Sequence, residues 1–235
     1  MGSRYGRPEE QPVHWVEISQ GFWLGRTPVT QQQYAQYDAE HQNHFSGNAN
    51  LPAENLSWKD ATAFCRWLNQ THSPNLASKG LADLPTEAQW EYACRAGTVS
   101  EYYSGDGEAA LAKVAWYYGN SAAKTHACGQ KASNAFGLCD MHGNVWEWCR
   151  DAWSGTIYRH QCEGIQAGTV TLEASGEADP VRVIRGGAWV DSPGDCRSAC
   201  RFRVRAGGRY HFQGFRVGLF PGPSCPGSAD QEEGA

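Results

Sequence analysis

The chain has 235 residues, with Lys+Arg 20 against Asp+Glu 25 and a formal net charge of -5. Hydrophobic residues make up 40% and charged residues 19%, enough for a real core and too few charges for a mostly disordered chain. No apolar run approaches the ~18–20 residues of a membrane span, Met1-Gly2-Ser3-Arg4 lacks the apolar stretch of a signal peptide, and the acidic balance argues against a nucleic-acid binder with a broad basic face. A cytoplasmic location is the expectation from these features.

Residues 1–11 are polar and read as a flexible arm. From there Val13-His14-Trp15-Val16-Glu17-Ile18 alternates like a strand, and Gly21–Gly25 reads as a second short extended piece. Three helix starts share one signature. Thr30-x-x-Gln33 and Thr86-x-x-Gln89 match the capping box, and Ser57-x-x-Asp60 is a weaker form of it. They predict helices over 30–41, 57–71 and 86–96. After Gly97 turn residues recur between short strand-like pieces, at Val145–Trp148, Val181–Gly187 and Phe215–Leu219. The stretch 153–180 reads as an insertion loop and 221–235 as a flexible tail. Helices early and short antiparallel strands late, with much irregular structure, give an α+β class. The abundance of Gly (27) and Trp (10) suggests loops fixed by aromatic plates.

Nine cysteines cannot all pair internally, and none forms a C-x-x-C pair, so zinc has little support. Most are expected to be buried free thiols. One or two disulfides remain open, with no connectivity readable.

Four segments then carry a resemblance. They are Gly21–Thr30; Leu84-Pro85-Thr86-Glu87-Ala88-Gln89-Trp90-Glu91-Tyr92-Ala93; Asn134–Trp148, with Gly143-Asn144-Val145-Trp146-Glu147-Trp148 at its end; and Arg185-Gly186-Gly187-Ala188-Trp189, closed by Gly214-Phe215-Arg216. In order and spacing they resemble the formylglycine-generating enzyme (sulfatase-modifying factor) family. The resemblance covers about residues 12–220 and implies one domain with a C-type-lectin-like fold. It also implies a candidate calcium loop, with Asp140 and Glu147 as side-chain ligands and Gly143 and Val145 as carbonyl ligands. Hard oxygen donors suit Ca²⁺. The alternative is that Glu147 pairs with a buried arginine and no metal binds.

The family's enzyme oxidises a substrate cysteine with oxygen and a copper ion held by two cysteines, spaced as residues 191 and 196 are here. Cys196 matches the second position, but Asp191 occupies the first. Copper(I) favours thiolates, so catalysis by that route is expected to be lost. Cys200 does not rescue it. On a helix it would share a face with Cys196; on a strand it would lie about 13 Å away. An iron-and-histidine branch of the family finds no match among the eight His.

The stretch 190–212 resembles instead the variable region of diversity-generating retroelement proteins of this fold. There, adenines are randomised, chiefly in AAY codons, which yield Phe, Val, Gly, Tyr, His, Asp or Cys but not Lys, Glu, Gln, Met or Trp. Phe202, Val204, Gly207, Gly208, Tyr210, His211 and Phe212 obey that restriction. With Val190, Asp191 and Asp195 they form the candidate ligand-binding set. Aromatic rings give large contact area at low entropic cost. The nearby arginines raise a second option, a basic patch for an acidic ligand, against structural ion pairs for Arg197 and Arg201. The leading expectation is a non-catalytic, receptor-like binder of a protein or other macromolecular ligand. It needs no cofactor, with calcium as an optional ion. The alternative functions are the copper oxidase and a non-diversified domain fused to a kinase or similar partner.

Overall fold

All three predicted helix starts form complete capping boxes. Thr30, Ser57 and Thr86 each accept from the backbone N–H three residues on, and the Gln33, Asp60 and Gln89 side chains accept from the caps' own N–H groups. In the computed structural model, which describes residues 1–72, 79–162 and 179–221, they open α1 (Gln31–Tyr34), α2 (Trp58–Thr71) and α3 (Glu87–Arg95). The first is a single turn and does not reach residue 41. Tyr34 is held between Phe64 and Phe215, and the chain then turns so that the His41 ring meets the Glu54 carbonyl at 2.8 Å. Two further helices were not predicted, α4 (Glu108–Val114) and α5 (Ile157–Cys162). The start of α4 is Gly107, at φ 79° and without a side-chain cap. α5 lies inside the predicted insertion loop, of which residues 163–178 fall outside the described residues.

The strands are short: β1 (Trp23–Leu24), β2 (Leu81–Asp83), β3 (Trp146–Ala152), β4 (Val181–Arg185), β5 (Arg201–Arg205), β6 (Gln213–Gly214) and β7 (Gly218–Phe220). They make one sheet of order β1-β7-β2 and one of order β5-β4-β3-β6. All pairs are antiparallel except β3 with β6, which run parallel, Trp146 opposite Gln213. Val13–Ile18 is not a strand: its residues alternate in exposure, but among the described residues only His14 is bonded through its backbone, to Met1 N and O at 2.9 and 3.0 Å.

The larger apolar cluster gathers Tyr34, Phe64, Trp146, Trp148, Trp189 and Phe215, and a second one centres on Trp90, Met141 and Val183. Between them run buried ion pairs. Arg185 meets Glu91 at 2.5 Å, Arg201 forks onto Glu87 at 2.6 and 2.7 Å, and Arg216 forks onto Glu147 at 2.6 Å. Each charge is compensated, the condition for burying it.

The first eleven residues are docked and do not form a free arm. Gly2 N donates to Glu91, Arg7 pairs with Asp195, and buried Glu10 accepts from Nη1 and Nη2 of Arg197 at 2.8 and 2.9 Å. The predicted tail lies, from residue 222, outside the described residues. Among the described residues seven cysteines are free thiols, six of them buried.

Candidate functional site

Strand β5 is an edge of its sheet, and its period of two sorts the candidate residues. Phe202 and Val204 point to one face. Arg201, Arg203 and Arg205 alternate with them; Arg201 is buried on Glu87, and Arg203 lies over the Trp153 ring at 5.2 Å. Phe202 stays 48% exposed and leans on Trp146, with ring centroids 5.9 Å apart.

Past β5 the chain turns tightly. A Cβ on Gly208 would sit 2.8 Å from Val204 and 3.0 Å from the Tyr210 ring, so those two side chains flank the glycine. Tyr210, 43% exposed, stacks on Phe212 at 5.1 Å. His211 meets Phe212, Trp189 and His44, the last at 4.7 Å. Phe45 stands edge-on to Trp189 at 5.3 Å. The result is a band of rings running from Tyr210 through Phe212 and His211 to His44, over the buried Trp189, while Phe202 packs on the buried Trp146.

The backbone under this band is fixed. The Ala206 carbonyl accepts from Trp58 N, the Tyr210 carbonyl from Asn55 N, and the Phe212 carbonyl from Trp146 N, at 2.9–3.0 Å. Gly207 N donates to the Asp179 carboxylate at 2.6 Å. The main chain is bonded to three scaffold elements while side chains keep accessible surface.

Of the candidate set, Tyr210, His211 and Phe212 come together in the band, Val204 flanks it across Gly208, and Phe202 packs on Trp146 instead; Gly207 and Gly208 lie in the turn. Val190 is exposed. Asp191 and Asp195 are used internally. The Asp191 carboxylate accepts from Trp146 Nε1 at 2.7 Å and Ala188 N at 2.9 Å, and burial raises its pKa to about 6. Asp195 accepts from Ser192 and pairs with Arg7. The basic-patch option also fails for most of the arginines. Arg197 pairs with Glu10, Arg201 with Glu87 and Arg209 with Asp60. Those first two are the expected structural pairs, though on partners other than Asp140 or Glu147. Sequence reasoning missed His44 and Phe45, which reach the band from a loop more than 140 residues upstream and carry no local signal. It read Trp146 and Trp189 only as supports of the fold.

Cys196 ends the 3₁₀ turn Pro193–Cys196 and is 0% exposed. Its sulfur lies 2.6 Å from where a Cβ on Gly187 would sit, and its carbonyl accepts from His142 Nδ1 at 2.7 Å. Burial pushes the thiol well above its usual pKa, and that of Cys200 up to about 12. Neutral, covered thiols are poor copper(I) ligands. Among the described residues no group of three or more His, Cys, Asp or Glu could hold a metal.

The calcium set does not fit an ion either. Gly143 and Asn144 do form the expected left-handed turn, at φ 71° and 62°. However, Glu147 spends both oxygens on Arg216 and one also on Trp90 Nε1 at 2.7 Å. Asp140 accepts from Gly129 N at 2.7 Å; its other oxygen is buried without a partner, and burial raises its pKa to about 6. An arginine already balances the charge a calcium ion would need.

Comparison with known proteins agrees with this architecture. Variable protein 1 of Treponema denticola superposes with a TM-score of 0.71 at 29% identity, over 85% of this chain and 84% of that one. PvdO from Pseudomonas aeruginosa gives 0.79 at 26% identity, over 94% and 90%. The formylglycine-generating enzyme of Streptomyces coelicolor is 29% identical over 88% of this chain, which spans 57% of that protein. Serine/threonine-protein kinase pkn1 of Chlamydia pneumoniae is 28% identical over 92% of this chain, which spans only 35% of the kinase. Among the described residues no helix is long and apolar enough to cross a membrane. Residues 1–218 match the model of the sulfatase-modifying factor enzyme 1-like domain, and the chain belongs to that family.

Proposed function

We propose that this chain is a non-catalytic ligand-binding domain whose segment 190–212 displays a diversified surface, as in variable proteins of this fold. One observation carries the reading: backbone and side chains are decoupled in the segment. Main-chain carbonyls of Ala206, Tyr210 and Phe212 are bonded to the scaffold, while Phe202 and Tyr210 are exposed and Val204, His211 and Phe212 keep part of their surface accessible. Side chains placed this way can change without moving the main chain. The similarity to variable protein 1 of Treponema denticola supports the same reading.

The ligand is a protein or other macromolecular surface, because a broad band of rings matches apolar contact area. Pairing of the arginines argues against an acidic ligand or nucleic acid. No cofactor is required. The alternative, a copper oxidase acting on a substrate cysteine, would need two accessible thiolates. The burial of Cys196 and the carboxylate at Asp191 weigh against it.

Deep sequencing of the coding segment from a cell population tests the proposal. Substitutions concentrated at codons for 190–212, within the AAY-derived set, are expected. Substitutions spread evenly along the gene would overturn it and favour a non-diversified module such as a kinase-fused domain.

A further inference from the structure

Two histidines from distant parts of the chain meet in the band. His44 comes from the loop between α1 and α2, and His211 from the segment after β5. Their ring centres lie 4.7 Å apart, with the planes tilted by 35°. Four other histidines spend a ring nitrogen on the fold: His14 on the Pro12 carbonyl, His41 on that of Glu54, His126 on that of Ser121 and His142 on that of Cys196. Among the described residues the ring nitrogens of His44 and His211 bond nothing, and His44 is exposed and His211 half-buried.

Both main chains are held in place. Phe45 N donates to Glu54 Oε1 and the Phe45 carbonyl accepts from Gln31, each at 2.8 Å, while Asn43 Oδ1 accepts from Glu54 N at 3.0 Å. The His211 carbonyl accepts from Trp189 Nε1 at 3.3 Å, between the bonded carbonyls of Tyr210 and Phe212. The two rings rest against Phe45, Trp189 and Phe212. Arg209, the nearest arginine along the chain, is paired with Asp60, so its charge is balanced. Burial and the His44 ring lower the His211 pKa, which leaves that imidazole neutral at pH 7 with a lone pair to give.

Neutral imidazole is a good ligand for zinc, nickel and copper ions. A ligating nitrogen sits about 2.0–2.1 Å from zinc, which puts the ring centre roughly 3.2 Å from the ion; two such rings at angles of ~90–110° have centres about 4.5–5.2 Å apart. The 4.7 Å between His44 and His211 falls inside that range. The exposed His44 ring is free to turn about its own bonds and aim a nitrogen at the shared point. With two protein ligands the ion keeps open positions, filled by water or by a donor atom of a bound macromolecule.

We propose that His44 and His211 form a two-imidazole site for a divalent transition-metal ion of the zinc, nickel and copper class, at the His44 end of the ring band. The site needs only these two side chains and stands whether or not segment 190–212 varies.

Calorimetric titration of zinc chloride into the metal-stripped full chain tests this. One zinc ion per chain is expected. His44→Ala and His211→Ala should each weaken binding at least tenfold. His72→Ala, which removes an exposed histidine outside the pair, should leave it unchanged. His44 lies on an exposed loop, so His44→Ala should melt with the wild type when no metal is present. In the wild type, zinc should shift the imidazole resonances of His44 and His211 and leave those of His72 in place. Absence of zinc binding would overturn the proposal. So would binding that survives His44→Ala, or binding abolished by alkylating the accessible thiols, which would put the ion on cysteines.

Discussion

Replacing Glu147 with Gln separates a structural ion pair from a metal site. Glu147 receives Arg216 Nε and Nη2, each at 2.6 Å, and Trp90 Nε1 at 2.7 Å. Arg216 and Glu147 are both fully buried. The amide in Glu147→Gln keeps one acceptor oxygen and aims an N–H₂ group at the guanidinium. Arg216 retains the Gly25 and Cys139 carbonyls but loses its countercharge. Breaking a buried pair from one side costs about 3–5 kcal/mol. In a domain of this size each kcal/mol moves Tm by roughly 2–4 °C. The expected fall is therefore about 6–20 °C in a thermal melt followed by near-UV circular dichroism. EDTA should leave the wild-type melt where it is, because no ion shares the load. A fall of under about 3 °C would refute the ion-pair account. A wild-type melt lowered by EDTA and restored by Ca²⁺ would refute it as well.

Other consequences are independent of that pair. Ser57→Ala removes the α2 cap and should lower stability by about 1 kcal/mol, read as a shift of roughly 2–4 °C in Tm. Native protein should present neither Cys196 nor Cys200 to a thiol reagent and should not compete with a copper(I) chelator; fast modification of Cys196 without denaturant would contradict its burial. Glu54 is buried with one oxygen unpartnered, and burial raises its pKa from 4.5 to about 7. The folded state then holds this proton more tightly than the unfolded state, so stability is lost as pH rises from about 4.5 through 7. Glu54→Gln removes that loss, and the Tm difference, variant minus wild type, should increase from pH 5 to pH 8.

The parts of this fold legible in the sequence were those with local causes. The pairs Thr30/Gln33, Ser57/Asp60 and Thr86/Gln89 announce helix starts because each cap is satisfied within four residues. The Gly143-Asn144 turn is readable for the same reason. Where an element depends on distant partners, local reading fails. The alternation of Val13–Ile18 says strand, but a ladder depends on a distant partner, and among the described residues only His14 finds one, Met1. The arm reads as free because the partners of Glu10 and Arg7, namely Arg197 and Asp195, lie nearly 190 residues away. Helix α1 stops early because a tertiary contact of His41 outweighs continued periodicity. At the site, the composition of 202–212 pointed to the band, but the assignment of Asp191 and Asp195 to ligand binding did not anticipate Trp146 and Arg7 as internal partners. His44 and Phe45 join the band only through folding.

The central claim is that the band can vary without cost to the scaffold beneath it. The direct measurement is the thermal melt of the triple variant Phe202→Asn, Tyr210→Asn, His211→Asn. These side chains are half-exposed and their backbones are held by main-chain bonds. The account predicts one cooperative transition within about 6 °C of wild type. A fall of more than about 15 °C, or loss of cooperativity, would show that these residues hold the core and would contradict it.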